Sequence, residues 1–113
     1  MEAKLTALDV LKASRAKLEV CELRKFSFAG DSEGRVISVM DTNAVSFCTL
    51  GLIFHVSNED FDYKRNTKVS EYIQAVIGEN SIQSWNDQPE RTKEDVLEAL
   101  DKAIALAEQD EME

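Results

Sequence analysis

The chain has 113 residues, of which 43% are hydrophobic and 31% are charged, and its 22 acidic and 13 basic side chains give a net charge of −9. This length and composition predict one domain over residues 1–113 and exclude a disordered chain, a collagen-like repeat and a disulfide scaffold. Because surfaces that bind phosphate are basic, a chain this acidic is not expected to bind nucleic acid directly.

The N-terminal segment is predicted to form an amphipathic helix over residues 3–24. Its apolar face carries Leu5, Leu8, Leu11 and Leu18 at helical spacing. Charged residues interrupt the segment too often for a secretory signal, and no apolar run in the sequence reaches the about 20 residues that a membrane span needs. With two cysteines that form no CxxC pair, these features favour a cytoplasmic protein without membrane association.

The following segment combines strand and turn signals. Phe26 and Phe28 alternate before a turn that contains Gly30 and Gly34, and β-branched residues follow that turn. This pattern predicts either a small β-hairpin near residues 26–40 or a covered loop.

A second helix is predicted over residues 43–57, with Asp41 or Thr42 as its cap. The stretch AVSFCTLGLIFHV within it carries no formal charge, so the helix is expected to be buried on all sides at the centre of the fold. Gly51 in its middle implies close approach of another element. Such an apolar helix also leaves open a homodimer that would cover it.

A polar connection over residues 57–66 is predicted to lead into a third helix. This helix covers residues 67–77, where apolar residues share one face. Gly78 follows directly and is well placed as a left-handed helix stop.

The last helix is predicted to follow a connector over residues 79–91. It begins at Thr92, where Asp95 completes a capping box. The acidic tail, residues 108–113, is expected to fray. Together these elements predict a mainly α fold, a compact bundle of about four helices.

The sequence contains no specific catalytic, metal-binding or cofactor-binding pattern. His55 is the only histidine, and Cys48 lies seven residues before it, about 10 Å away along a helix, so the two cannot form a dyad. Cys21 and Cys48 with one histidine do not suffice for a zinc site. The carboxylates of residues 58–62 lack the spacing of an EF-hand loop. We therefore expect no catalytic residue, no metal and no cofactor, and an enzyme is disfavoured.

The net negative charge lies entirely in the second half of the chain. Residues 1–56 hold seven acidic and seven basic side chains, whereas residues 57–113 hold fifteen acidic and six basic ones. This asymmetry favours either a solvated face that keeps the protein soluble or a surface for a basic partner. The acidic side chains expected to form such an interaction surface are Glu94, Glu98, Asp101 and Glu108.

The segment SWNDQPERTKEDVLEALDKAIALA, residues 84–107, carries a Trp-Asn-Asp and an Arg-Thr motif before a helix. It resembles a small domain of unknown function found in bacterial and bacteriophage proteins. That domain also carries a helix with a Cys-x-x-Gly core, which here is Cys48-Thr49-Leu50-Gly51. The resemblance implies that the motif residues meet in space; these are Cys48, Gly51, Trp85, Asn86, Asp87, Arg91 and Thr92.

Two interpretations of the corner formed by Trp85, Asn86, Asp87 and Arg91 remain open. In a binding pocket, Arg91 would hold an anionic group and Trp85 would stack on a ring. In a structural lock, Trp85 would pack on Gly51, while Asp87 would cap a turn or pair with Arg91.

The function expected from the sequence is that of a non-enzymatic protein-interaction module. Its partner would be a host protein with a basic surface, and mimicry of DNA charge by a phage or mobile-element inhibitor is one form of this hypothesis. The alternative is a small-molecule-binding protein or hydrolase that uses the corner at Trp85, Asn86, Asp87 and Arg91.

Overall fold

Five helices and three short strands make up the computed structural model, which describes residues 5–57 and 62–111. The elements in chain order are α1 (Ala7–Glu19), β1 (Glu22–Leu23), β2 (Ala29–Gly30), β3 (Ser46–Phe47), α2 (Thr49–Ser57), α3 (Tyr63–Ile77), α4 (Ile82–Asn86) and α5 (Lys93–Glu111). The predicted mainly helical architecture with a small β element is thereby confirmed.

Helix α1 lies at the centre of the helical layer, because it packs against α2, α3 and α5. It runs antiparallel to α5: Lys12 pairs with Glu108 at one end, and Lys93 donates a hydrogen bond to the carbonyl of Glu19 at the other. The largest fully buried side chains of the core are Leu11, Leu18, Phe47, Leu52, Ile53, Ile73 and Leu100.

The first helix is shorter than the predicted span of residues 3–24. It begins after Thr6, whose side chain and that of Asp9 form a capping box, and it ends at Glu19. The chain then leaves the helix because Glu22 and Leu23 pair with the third strand. Residues 3 and 4 lie outside the described residues.

The three strands form one sheet in the order β1-β3-β2. β1 pairs with β3 in parallel, with Leu23 opposite Phe47. β2 pairs with the other edge of β3 antiparallel, with Ala29 opposite Phe47. The predicted hairpin near residues 26–40 is present only as a single antiparallel bridge between Gly30 and Val36. The main pairing partner of β2 is therefore β3, which lies outside the predicted hairpin.

The prediction of a helix over residues 43–57 is wrong for its first part, because α2 begins at Thr49. Phe47 belongs to the central strand instead and is fully buried. A short apolar run fits a buried strand as well as a buried helix, and periodicity alone does not separate them. Helix α2 is also not covered on all sides, since Leu50 and Phe54 are only half-buried.

Helix α3 begins at Tyr63, four residues earlier than predicted from residues 67–77. Its cap is Asp62, which accepts a hydrogen bond of 3.1 Å from the backbone N–H of Arg65. Gly78 ends the helix with φ 73°, as predicted. Within the predicted polar connection, residues 58–61 lie outside the described residues.

Helix α5 follows the predicted capping box. The backbone N–H of Thr92 donates to Asp95 (3.0 Å), and the backbone N–H of Asp95 donates to the Thr92 hydroxyl (3.1 Å). The sequence predicted that residues 108–113 fray, whereas the helix continues through Glu111. The Tyr72 hydroxyl donates to the carboxylate of Asp110 (2.7 Å) in this last turn. Residues 112 and 113 lie outside the described residues.

Candidate functional site

Asn86, the last residue of α4, ties three parts of the chain together. Its side chain is fully buried. The amide oxygen accepts hydrogen bonds from the backbone N–H (2.9 Å) and the hydroxyl (2.7 Å) of Thr49, so it satisfies a free N–H at the start of α2. The amide nitrogen donates to the carbonyl of Arg24 and to the carboxylate of Asp87, each at 3.0 Å. All this hydrogen-bonding capacity is used inside the protein.

Asp87 holds the backbone of the loop before β2. Its carboxylate accepts hydrogen bonds from the backbone N–H of Phe26 (3.0 Å) and from the side chain of Gln83 (3.1 Å). Partial burial acts to raise the pKa of Asp87, but the hydrogen bonds from Phe26, Asn86 and Gln83, with the nearby charge of Lys25, lower this pKa overall. Asp87 is therefore an anchoring carboxylate that stays ionised.

Arg91 contacts Trp85. Its guanidinium stacks over the indole ring at 4.1 Å, and its Nε–H donates to the backbone carbonyl of Trp85 (2.9 Å). The predicted pairing of Arg91 with Asp87 is not formed. The carboxylate nearest to Arg91 is instead that of Asp95, at 4.0 Å. One face of Trp85 is thus occupied by a side chain of the protein itself.

Gly51 makes room for the loop before β2 rather than for Trp85. A Cβ atom at Gly51 would lie 2.0 Å from the carbonyl oxygen of Phe28. The backbone N–H of Cys48 donates to the same carbonyl (3.2 Å), and the Cys48 sulfur accepts from the backbone N–H of Gly51 (3.2 Å). Burial raises the pKa of the Cys48 thiol above its ordinary value, against the effect of hydrogen bonds from Gly51 and Leu50. Cys48 is a fully buried core residue.

The two motifs contact each other through Asn86 and Thr49, and both hold the same loop. Arg91 and Thr92, which were also expected to meet Gly51, contact Trp85 and Asp95 instead. We call residues 24–28 the clamped loop. Lys25 adds two further contacts, since its ammonium donates to the carbonyls of Gln88 (2.5 Å) and Pro89 (3.0 Å). At the centre of this loop Phe26 has φ 68°, the one positive value among non-glycine residues in the described part of the chain, and its side chain is 80% exposed.

An uncharged surface, rich in aromatic residues, begins at the clamped loop and continues along α2 and α3. It contains two shallow grooves of about 320 and 250 Å³. An edge-to-face contact between Phe28 and Phe54, with ring centroids 5.5 Å apart, connects the two grooves. We call this surface the aromatic face; its lining residues are Phe26, Ser27, Phe28, Leu50, Phe54, Tyr63, Asn66, Thr67, Ser70 and Gln83.

The four acidic residues predicted as an interaction surface share one side of α5, and we call them the acidic stripe (Glu94, Glu98, Asp101 and Glu108). Most of this charge is paired within the protein. The ion pairs are Glu98 with Lys102 (3.1 Å), Asp101 with Arg15 (2.8 Å) and Glu108 with Lys12 (3.8 Å). These exposed pairs leave less free charge on the stripe than the sequence suggested.

No cluster of three or more histidine, cysteine or carboxylate side chains that could hold a metal occurs within residues 5–57 and 62–111. His55 donates a hydrogen bond from Nδ1 to the carbonyl of Val39 (2.7 Å), and its ring lies against Phe47. Apart from Asp62, the carboxylate segment 58–62 lies outside the described residues. In the same described ranges no helix is long and apolar enough to cross a membrane.

The aromatic face is not evident from the sequence. Phe26 and Phe28 alternate as strand residues do and were assigned to a hairpin or a covered loop, and Phe54 lies in an apolar run that was expected to be buried. The absence of charge across residues 44–56, together with a glycine for close approach, was the signal that another segment lies against α2. Only the structure shows that this segment leaves aromatic rings at the surface.

The fold and the corner define a small, mainly helical domain whose motif residues connect α2 and α4 to one surface loop. The chain belongs to a family of unknown function (DUF6197), whose model matches residues 2–106. The resemblance to a domain of unknown function is thereby confirmed at the level of the family. No curated protein and no solved structure shows significant similarity to this chain.

Proposed function

We propose that this protein is a non-enzymatic protein-interaction module that binds its partner through the aromatic face. The observation that carries the proposal is Phe26, which is held at φ 68° with its side chain 80% exposed. The left-handed conformation costs an ordinary residue about 1–2 kcal/mol. Backbone strain of this kind clusters at functional sites, where the surrounding structure maintains it.

The composition of the aromatic face supports the same function. None of its ten lining residues carries a formal charge, although 31% of the chain is charged. Depletion of charge and enrichment of aromatic residues distinguish the centre of a protein interface from the rest of a surface. Phe26 and Phe28 are therefore the proposed anchors for a pocket on the partner.

The proposed partner is a folded protein with an apolar cleft and a basic surface around it. The net charge of −9 lies outside the aromatic face, so it would steer a basic protein toward the module without adding buried charge to the contact. We propose that binding blocks or regulates a bacterial host protein, as an inhibitor from a phage or mobile element would. The two unbridged cysteines, Cys21 and Cys48, are compatible with action in the cytoplasm.

The acidic stripe is the less favoured binding surface. Mimicry of DNA needs carboxylates that are free to pair with the partner, whereas Glu98, Asp101 and Glu108 already have basic neighbours within this chain. A partner that contacted the stripe would have to replace these ion pairs. The stripe thus supports solubility and steering better than recognition.

Site-specific photo-crosslinking tests the proposal. A photoreactive phenylalanine analogue is placed at Phe26 and, as a matched control, at Val20, which is also 80% exposed but does not line the aromatic face. In an extract of the cells that naturally express the protein, we expect Phe26 to crosslink to one basic protein that Val20 does not capture.

The captured protein is then purified and its affinity is measured against wild type and Phe26→Ala. A loss of about tenfold or more, which corresponds to 1.4 kcal/mol, supports the proposal. Unchanged affinity, equal capture at both positions, or a crosslink only to a second copy of this chain would overturn it.

A further inference from the structure

A second site, separate from the aromatic face, lies between the C-terminal end of α3 and the first turns of α5. It is a pocket of about 210 Å³. Half-buried Val76 and Ile77 from α3 and buried Ala99 from α5 line part of it, and charged side chains line much of the rest. The pocket is smaller than the roughly 300–1,000 Å³ of sites for drug-sized ligands, so it fits only a small molecule.

Arg91 lines this pocket with a guanidinium that is already fixed in place. Stacking on Trp85 at 4.1 Å and the Nε–H bond to the Trp85 carbonyl hold its plane. Within the part of the chain that the structure describes, its two terminal nitrogens make no hydrogen bond, and the nearest carboxylate, Asp95, is 4.0 Å away. One of these nitrogens is thus in a loose ion pair with Asp95, but neither has a hydrogen-bond partner, and a planar guanidinium fork of this kind fits a carboxylate in a two-point contact.

Asp95 places a negative charge directly beside this fork. Hydrogen bonds, first of all from the backbone N–H of Thr92, lower the pKa of Asp95 below its ordinary value against the opposing effect of burial, so it stays ionised. Arg91 and Asp95 thus present a positive and a negative charge, about 4 Å apart as a loose ion pair, in a pocket lined by both charged and apolar side chains. In a free α-amino acid, the carboxylate and the ammonium are attached to the same carbon, so one small molecule can face both charges.

We propose that this pocket binds a free α-amino acid with an aliphatic side chain. Its carboxylate would bind Arg91, its ammonium would face Asp95, and its side chain would lie on Val76, Ile77 and Ala99. The other rim residues, Glu98 and Lys102, pair with each other at 3.1 Å and leave the rim electrically neutral. This site does not depend on the aromatic face, so either proposal can fail without the other.

Heteronuclear NMR titration of the wild-type protein with L-leucine tests the site. Two analogues serve as matched ligands: 4-methylpentanoate lacks the ammonium, and L-leucinamide lacks the carboxylate. We expect saturable shifts at Val76, Ile77 and Ala99 with leucine, and about tenfold weaker binding of each analogue. Equal affinity for leucine and leucinamide, or no shift at these residues at millimolar leucine, would overturn the proposal.

Two variants test the assigned contacts. Arg91→Lys keeps the charge but loses the planar fork, and we expect about tenfold weaker leucine binding. Asp95→Asn keeps an oxygen for the helix cap, and we expect it to weaken leucine binding but not 4-methylpentanoate binding. Arg35→Lys, an exposed arginine outside the pocket, is the matched control. If the folded Asp95→Asn variant lost affinity equally for leucine and for 4-methylpentanoate, this result would contradict the ammonium contact.

Discussion

The carboxylate of Asp87 accepts a hydrogen bond of 3.0 Å from the backbone N–H of Phe26, 61 positions earlier in the chain. This contact connects the Trp-Asn-Asp motif to the exposed ring at the centre of the clamped loop. It also explains how a phenylalanine keeps φ 68°, because the donor is held by an acceptor that is itself bonded to Asn86 and Gln83. The motif thus stabilises a surface loop. The side chain of Asn86 has no free donor or acceptor left to bind a ligand.

Replacing Phe26 by glycine or alanine tests whether its backbone conformation is strained. Glycine accepts a positive φ without penalty, so Phe26→Gly should be more stable than Phe26→Ala by about 1 kcal/mol. At Phe28, which has no positive φ, the order should reverse because glycine loses more backbone entropy. Urea unfolding of the four variants measures this, and the same order at both positions would contradict the strained conformation.

The Asp87 contact predicts a pH dependence. Because the pKa of Asp87 is lower in the folded protein, its contribution to stability is fully present above the unfolded value of about 3.9 and is lost as the pH falls through the folded pKa. We expect the Phe26 amide shift to titrate below that value in wild type and to lose this titration in Asp87→Asn.

The Arg35 amide serves as the control in this experiment. It donates to Asp31 (2.9 Å), and the pKa of Asp31 is lowered chiefly by that backbone hydrogen bond. Its titration should be the same in wild type and in Asp87→Asn. A Phe26 amide that titrates at or above the ordinary carboxyl pKa would show that the contact does not hold in solution.

Asn86→Ala should reduce the free energy of unfolding by about 2–4 kcal/mol. The substitution leaves the backbone N–H of Thr49 and the carbonyl of Arg24 without their side-chain partner in a buried place. Gln88→Ala, on the exposed turn that follows, should change stability by less than about 0.5 kcal/mol. Chemical denaturation measures both, and a loss below 1 kcal/mol for Asn86→Ala would contradict its role as a tie.

Gly51→Ala should destabilise the protein by about 1–3 kcal/mol, although alanine favours a helix by about 1 kcal/mol. The reason is the carbonyl of Phe28, which lies 2.0 Å from the position of the new Cβ atom. Gly78→Ala is the control, since its Cβ would meet open space but its φ of 73° is strained. Both variants lose stability, but only Gly51→Ala should shift the amide signals of residues 24–28.

The elements that the sequence predicted correctly are those with local causes. The capping box of Thr92 and Asp95 and the stop at Gly78 depend on residues within one turn. In strand β3, Phe47 depends on partners 18 and 24 positions earlier, Ala29 and Leu23, whose pairing no local pattern reveals. The apolar run around Phe47 was therefore assigned to a helix.

The corner shows the same division. The structural-lock interpretation gave Asp87 a contact with nearby backbone or with Arg91, whereas its carboxylate accepts from backbone 61 positions earlier. The identity of that backbone, Phe26, depends on the approach of the clamped loop to Gly51, which the sequence only implied. The stacking of Arg91 on Trp85 depends on the short helix α4, which was predicted as a connector.

The affinity of the purified partner for two matched variants tests the account most directly. Phe26→Ala removes the central ring of the aromatic face, and Glu98→Gln removes one charge from the acidic stripe without touching that face. We expect binding at least about tenfold weaker for Phe26→Ala and less than about twofold weaker for Glu98→Gln. The reverse order would place recognition on the acidic stripe and contradict the role of the clamped loop.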